Sequence, residues 1–198
     1  MSIANFFTAT RIIAAPLFML LYYLPSYTSV TAQSTLAIVI PLFIYMEFTD
    51  FLDGFYARKF KQVSDFGKLF DPFADVVANL TVLLAFMLSG YVPVLIFIII
   101  LYREIGILFL RMLARGNGIT IAAKKGGKIK TVCYILAEGF TLFIELLIAF
   151  SIMEKAIIDT LVLANRVLYG IAAALSVGSF ADYLISYRKI YAPIKKRE

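Results

Sequence analysis

Residues 49–75 read TDFLDGFYARKFKQVSDFGKLFDPFAD, a polar stretch set between two long apolar runs. Asp50, Asp53, Gly54 and Ala57 recur at three-, four- and seven-residue spacing, which puts them on one side of a helix with Arg58 at its flank. Asp71 and Asp75, four apart, share a face of the next helix. A short loop joins the two, so they are expected to be antiparallel neighbours whose four carboxylates converge at one face of a membrane. Four carboxylates at low dielectric repel one another unless cations bind between them. Ionisable groups at the edges of apolar spans are costly and usually face a site or a cavity. The stretch therefore predicts a divalent-metal site on Asp50, Asp53, Asp71 and Asp75, with room for one or two ions. Asp65, alone in the loop, reads as a solvated charge. Gly54 and Ala57, small and on the acidic side, let a ligand or a neighbouring helix approach the backbone.

The flanks of this stretch place the chain in lipid. Of its 198 residues, 62% are hydrophobic and only 16% charged, against about 25% charged in soluble domains. The mean hydropathy is +0.88. Six spans are predicted, at 9–25, 33–58, 69–89, 91–114, 130–152 and 161–187, each near the ~20 residues that cross a bilayer as a helix. Pro25–Ser26 and Ser89–Gly90 read as tight turns, and Gly116–Gly118 with Gly126–Gly127 bracket a polar loop. The expectation is a single all-α, multi-pass integral membrane domain over residues 1–198.

Charge sets its orientation. Of 19 Lys and Arg, only Lys155 and Arg166 fall on one side, and only Arg103 and Arg111 within a span; the rest, Arg11 among them, gather on the other side. The positive-inside rule puts that side, both termini and the acidic stretch in the cytoplasm. The net charge of +6 is then explained by orientation and anionic lipid headgroups, and no nucleic-acid partner is expected. The chain has no His, which excludes His-based triads, His phosphoenzymes and His-ligated metals. Its one Cys, Cys133, sits in an apolar run. A metal here is held by oxygen, which points to Mg²⁺, Mn²⁺ or Ca²⁺.

The spacing Asp50-x2-Asp53-Gly54-x2-Ala57-Arg58-x8-Gly67-x3-Asp71-x3-Asp75 resembles the motif of the CDP-alcohol phosphotransferase family at every defined position. At background composition such a match arises by chance on the order of once in 10¹⁰ starting residues. The resemblance implies an enzyme that displaces CMP from a CDP-linked alcohol with the hydroxyl of a second alcohol. It implies that Asp50, Asp53 and Asp71 ligate metal, and that Asp75 lies at the metals and acts as general base. Asp50, Gly54, Ala57, Arg58 and Gly67 would lie at the CDP group. It also implies a homodimer in the bacterial inner membrane, with its active site facing the cytoplasm.

Outside the motif, Asn5-x2-Thr8-x2-Arg11 with Pro16, Asp71-Pro72-x-Ala74-Asp75, and Arg103-Glu104-Ile105 with Arg111 and Gly127-Lys128-x-Lys130-Thr131 resemble the glycerophosphate branch of that family. The implied reaction carries a phosphatidyl group from CDP-diacylglycerol to sn-glycerol 3-phosphate, giving phosphatidylglycerophosphate and CMP. A phosphorylated acceptor needs cations, and Arg103, Arg111, Lys128 and Lys130 are the available set. Arg103 otherwise reads as half of an ion pair with Glu104, Glu138 or Glu145, and Asn5 and Thr8 as caps of the first helix. The branch commonly carries Lys after the last Asp, where this chain has Val76. Serine, an inositol phosphate or phosphatidylglycerol remain alternative acceptors. An ion-coupled transporter is the rival from another class; its ionisable groups would lie at the midplane, within repeats this sequence does not show.

Overall fold

The six apolar runs become six α-helices, because hydrocarbon leaves a backbone no partner but itself. The computed structural model describes the backbone of residues 3–60, 67–116 and 125–195, and the side chains of 6–49, 52, 67, 70–114, 116 and 129–188. The helices are α1 (Ile3–Tyr27), α2 (Ala32–Phe60), α3 (Gly67–Leu88), α4 (Val94–Gly116), α5 (Lys125–Ala149) and α6 (Lys155–Lys195). Five are long and apolar enough to cross a membrane, over Phe6–Tyr27, Ala32–Thr49, Phe70–Leu88, Ile129–Ala149 and Lys155–Arg188. The exception is α4, which has 23 residues but carries Arg103, Glu104 and Arg111 within its apolar stretch.

Three boundaries differ from the sequence reading. Pro25 does not end α1, which continues to Tyr27; a proline near a helix end forfeits one backbone bond and need not stop the chain. Gly126 and Gly127 lie in the first turn of α5, which begins at Lys125. Helix α6 has 41 residues and is about 60 Å long, twice a hydrocarbon core of about 30 Å. The turn at Ser89–Gly90 forms as expected. Gly90 has φ of 83°, and the bonds Gly90 N–H to Met87 O (3.0 Å) and Tyr91 N–H to Phe86 O (2.9 Å) close α3 with a left-handed glycine.

Helix α1 packs on α2 and α3, α5 on α6, and α4 on α6 and α3. The α1–α3 seam is built from small residues. Ala14 and Ala15 of α1 and Ala74, Ala78 and Ala85 of α3 are all buried, and small side chains of this kind let packed helices approach closely. Deeper in the seam, the Phe18 and Phe86 rings meet edge to face with centroids 6.0 Å apart. A second close approach joins α4 to α6, where a Cβ on Gly106 would stand 3.0 Å from the Phe180 ring.

Polarity runs inside out. Ile13, Leu20, Leu95, Tyr102, Ile105 and Phe109 are exposed, while Glu138, Thr141 and Asn165 are buried. The Asn165 amide donates to Thr141 Oγ1 at 2.8 Å, and Thr141 in turn lies 2.8 Å from the Tyr169 hydroxyl. Hydrogen bonds of this kind join helices that have no hydrophobic force between them in lipid.

Candidate active site

The polar end of the α1–α3 seam sets the acids in place. Thr8 and Arg11 continue the buried face of α1 that carries Ala15 and Phe18. Opposite them, Asp71 and Asp75 continue the alanine face of α3. The Thr8 hydroxyl donates to Asp71 Oδ1 at 3.2 Å, and the Arg11 guanidinium pairs with Asp75 Oδ1. Arg11 is almost wholly buried, whereas the Asp75 side chain is 37% exposed. The carboxylate is thus anchored from behind and open in front.

It opens onto a cavity of about 240 Å³. Asp75 and Arg11 line one wall, with Pro72, Val76 and Asn79 of α3 and Glu47 of α2. Arg103, Glu104 and Arg111 of α4 and Lys130 of α5 line the other. These groups have defined partners. Arg103 donates from Nη1 to Glu104 Oε2 (2.8 Å), from Nε to the Ser176 carbonyl (3.2 Å) and from Nη2 to Ser179 Oγ (2.6 Å). Lys130 donates to Glu104 Oε1, and its ammonium stands 4.7 Å from the centroid of the Tyr134 ring. Tyr134 is tied by its own hydroxyl to Ser176 Oγ at 2.7 Å. Carboxylate and cations therefore face one another across one space, held by four different helices. Such a space suits an anionic substrate that presents a hydroxyl to a base.

Residues 1–178 match the CDP-alcohol phosphatidyltransferase family. The chain belongs to that family. A Treponema pallidum relative, named CDP-diacylglycerol–glycerol-3-phosphate 3-phosphatidyltransferase, is 39% identical over 204 residues, covering 100% of this chain and 92% of its own. A Haemophilus influenzae protein of the same name is 35% identical over 188 residues, covering 92% of this chain and 91% of its own.

Against this CDP-alcohol phosphatidyltransferase frame, the predicted residues divide by where they fall. The structure brings Asp71 and Asp75 to one face of α3 and joins Asp75 to Arg103, Arg111 and Lys130 around the cavity. Gly67 is the first residue of α3. The backbone of α2 runs through Asp50, Asp53, Gly54, Ala57 and Arg58, and Lys128 lies in the first turn of α5. The side chains of these six lie outside the described residues. Among the described residues, no three His, Cys, Asp or Glu side chains group to hold a metal ion.

Two residues carry more than the sequence reading gave them. Thr8 lies in the second turn of α1, too far in for a cap, and it holds Asp71. Arg11, read as an orientation charge, is buried against Asp75. The signal was present in their spacing: three apart on a helix, they match the four-residue spacing of the acids across the seam. Glu104 is the partner that Arg103 takes, and neither Glu138 nor Glu145 lies on the cavity wall. Val76, in the place where the branch commonly has Lys, lines the cavity.

Proposed function

We propose that this protein transfers the phosphatidyl group of CDP-diacylglycerol to sn-glycerol 3-phosphate, releasing phosphatidylglycerophosphate and CMP. The observation that carries the reading is the single cavity shared by Asp75 and the cations Arg103, Arg111 and Lys130. The names of the relatives support the same donor and acceptor. In this reading the acceptor's phosphate binds the cations, and its hydroxyl points across to Asp75. The Asp75 carboxylate takes the hydroxyl proton as the oxygen bonds to the phosphorus that bears diacylglycerol. The bond from that phosphorus to the CMP oxygen breaks, and CMP leaves with the electron pair. Arg11 keeps the carboxylate aimed at the cavity, and Thr8 fixes Asp71 one turn away.

The donor set suits a hard divalent ion. Asp71 and Asp75 offer only oxygen, and so do Asp50 and Asp53 at the adjoining end of α2. One or two Mg²⁺ or Mn²⁺ ions on these four would neutralise the diphosphate and stabilise departing CMP. Gly54, Ala57, Arg58 and Gly67, with Asp50, are the proposed contacts of the CDP group, and Lys128 joins the acceptor's cations.

The reading includes six spans with both termini and the active site facing the cytoplasm, in the bacterial inner membrane. Support for α4 as a span comes from its faces: it buries Arg103 and Glu104 and exposes Leu95, Tyr102, Ile105, Phe109 and Met112. Basic residues at the ends that carry the acids support the orientation. The homodimer is supported by family resemblance alone. The deciding experiment is CMP release by purified protein with CDP-diacylglycerol and Mg²⁺, offering glycerol 3-phosphate, serine, inositol 1-phosphate and phosphatidylglycerol in parallel. Release with glycerol 3-phosphate only is the expected result; release with another acceptor only overturns the acceptor and keeps the chemistry.

A further inference from the structure

The cations of the cavity carry an internal anion among them. Each oxygen of Glu104 takes one cation: Oε2 accepts from Arg103 on its own helix, and Oε1 from Lys130 on α5. All three side chains are buried. Arg103 is further pinned to α6 through Ser176 and Ser179, and Arg111 lines the same wall. Two cations crowded at low dielectric repel and would part unless a counter-charge stands between them. Glu104 stands there. A purely structural carboxylate has no need to face a cavity, yet this one lines it together with both of its partners and Asp75.

We propose that Glu104 is a positioning residue, whose carboxylate holds Arg103 and Lys130 side by side as a clamp for the phosphate of the acceptor. The inference rests on reading the cavity as the acceptor's site. It assigns Glu104 a part in acceptor affinity although an anion of its own sign repels phosphate. Two effects compete, and geometry decides between them: both cations bind Glu104 directly, so losing it releases Lys130 and Arg103 from their shared position.

The test compares Glu104→Gln with wild type in two assays. In CMP release, the variant's KM for glycerol 3-phosphate rises about tenfold or more while that for CDP-diacylglycerol stays within about twofold. Glu104→Asp, which keeps the charge, recovers most of the lost acceptor affinity. In the second assay, inorganic phosphate raises the melting temperature of the detergent-solubilised wild type above that in chloride of matched ionic strength, and Glu104→Gln loses the effect.

An unchanged or lower glycerol 3-phosphate KM, an equal rise in both KM values, or a Glu104→Asp variant no better than Glu104→Gln overturns the proposal. So does a wild type that phosphate does not stabilise. The double variant Glu104→Gln/Lys130→Gln leaves no unpaired charge from that pair and serves if the single variant fails to fold. Stabilisation of the double variant by phosphate to the wild-type extent overturns the clamp. If wild type turns over only with an unphosphorylated acceptor, the functional reading falls, and the phosphate assay decides the clamp by itself.

Discussion

Arg11 and Asp75, 64 residues apart in sequence, form one ion pair across the α1–α3 seam. Its two ends differ in character: the guanidinium is buried, and the carboxylate faces the cavity. An acid meant only to neutralise a buried cation would be buried with it. Asp75 instead keeps one side toward the space where an acceptor hydroxyl would arrive.

Asp75→Asn removes the proposed base and keeps the shape. CMP release is expected to fall by about 10²-fold or more, the contribution typical of a positioned general base. Because the buried Arg11 guanidinium loses its counter-charge, a stability loss of about 3 kcal/mol is expected as well. Turnover near the wild-type level, from protein that elutes as a single folded species, removes Asp75 from the reaction.

Arg103→Ala separates acceptor from donor. The side chain spans Glu104, Ser176 and Ser179 and stands at the cation wall. The expected result is a rise of about tenfold or more in the KM for glycerol 3-phosphate with a much smaller change for CDP-diacylglycerol. Equal rises would place Arg103 outside the acceptor's pocket.

Gly106→Ala tests the α4–α6 contact that sets the height of Arg103. The added methyl would meet the Phe180 ring at 3.0 Å, a crowding that costs about 1–3 kcal/mol. Thermal unfolding in detergent reads the loss, and Phe180→Leu in the same chain should recover most of it. A melting temperature unchanged by Gly106→Ala shows that the ring yields freely.

Chelation tests the acidic end of the bundle. EDTA is expected to abolish CMP release, and Mg²⁺ or Mn²⁺ in excess to restore it, because the donors are all hard oxygens. Full activity in EDTA after exhaustive dialysis contradicts a metal on Asp50, Asp53, Asp71 and Asp75.

Much of the scaffold was legible in the sequence because membrane helices announce themselves locally. Apolar runs and polar breaks located all six helices, and the four-residue spacing of Asp71 and Asp75 fixed their shared face. The glycine turn at Gly90 was readable for the same reason, since its cause lies within a few residues. Less legible were partnerships between helices. Spacing puts Arg11 on one face of α1 with Thr8, but charge counting assigns it to orientation, and only the packing of α1 on α3 sets it against Asp75. Arg103 offered three carboxylates as partners and takes the one beside it, Glu104; that Lys130 of α5 shares this carboxylate is set by packing between helices. Charge also misleads in α4, where Arg103, Glu104 and Arg111 lower its apolarity although its outer face is apolar.

The two walls of the cavity come from separate stretches of chain. The wall bearing Asp75 and Arg11 belongs to residues before the Gly90 turn, and the wall bearing Arg103, Glu104, Arg111 and Lys130 to residues after it. Mutations that alter the second wall leave the acids untouched. With the roles proposed above, a lineage could exchange one acceptor for another by drifting in α4 and α5 alone, and the machinery for the nucleotide-linked donor would be inherited whole.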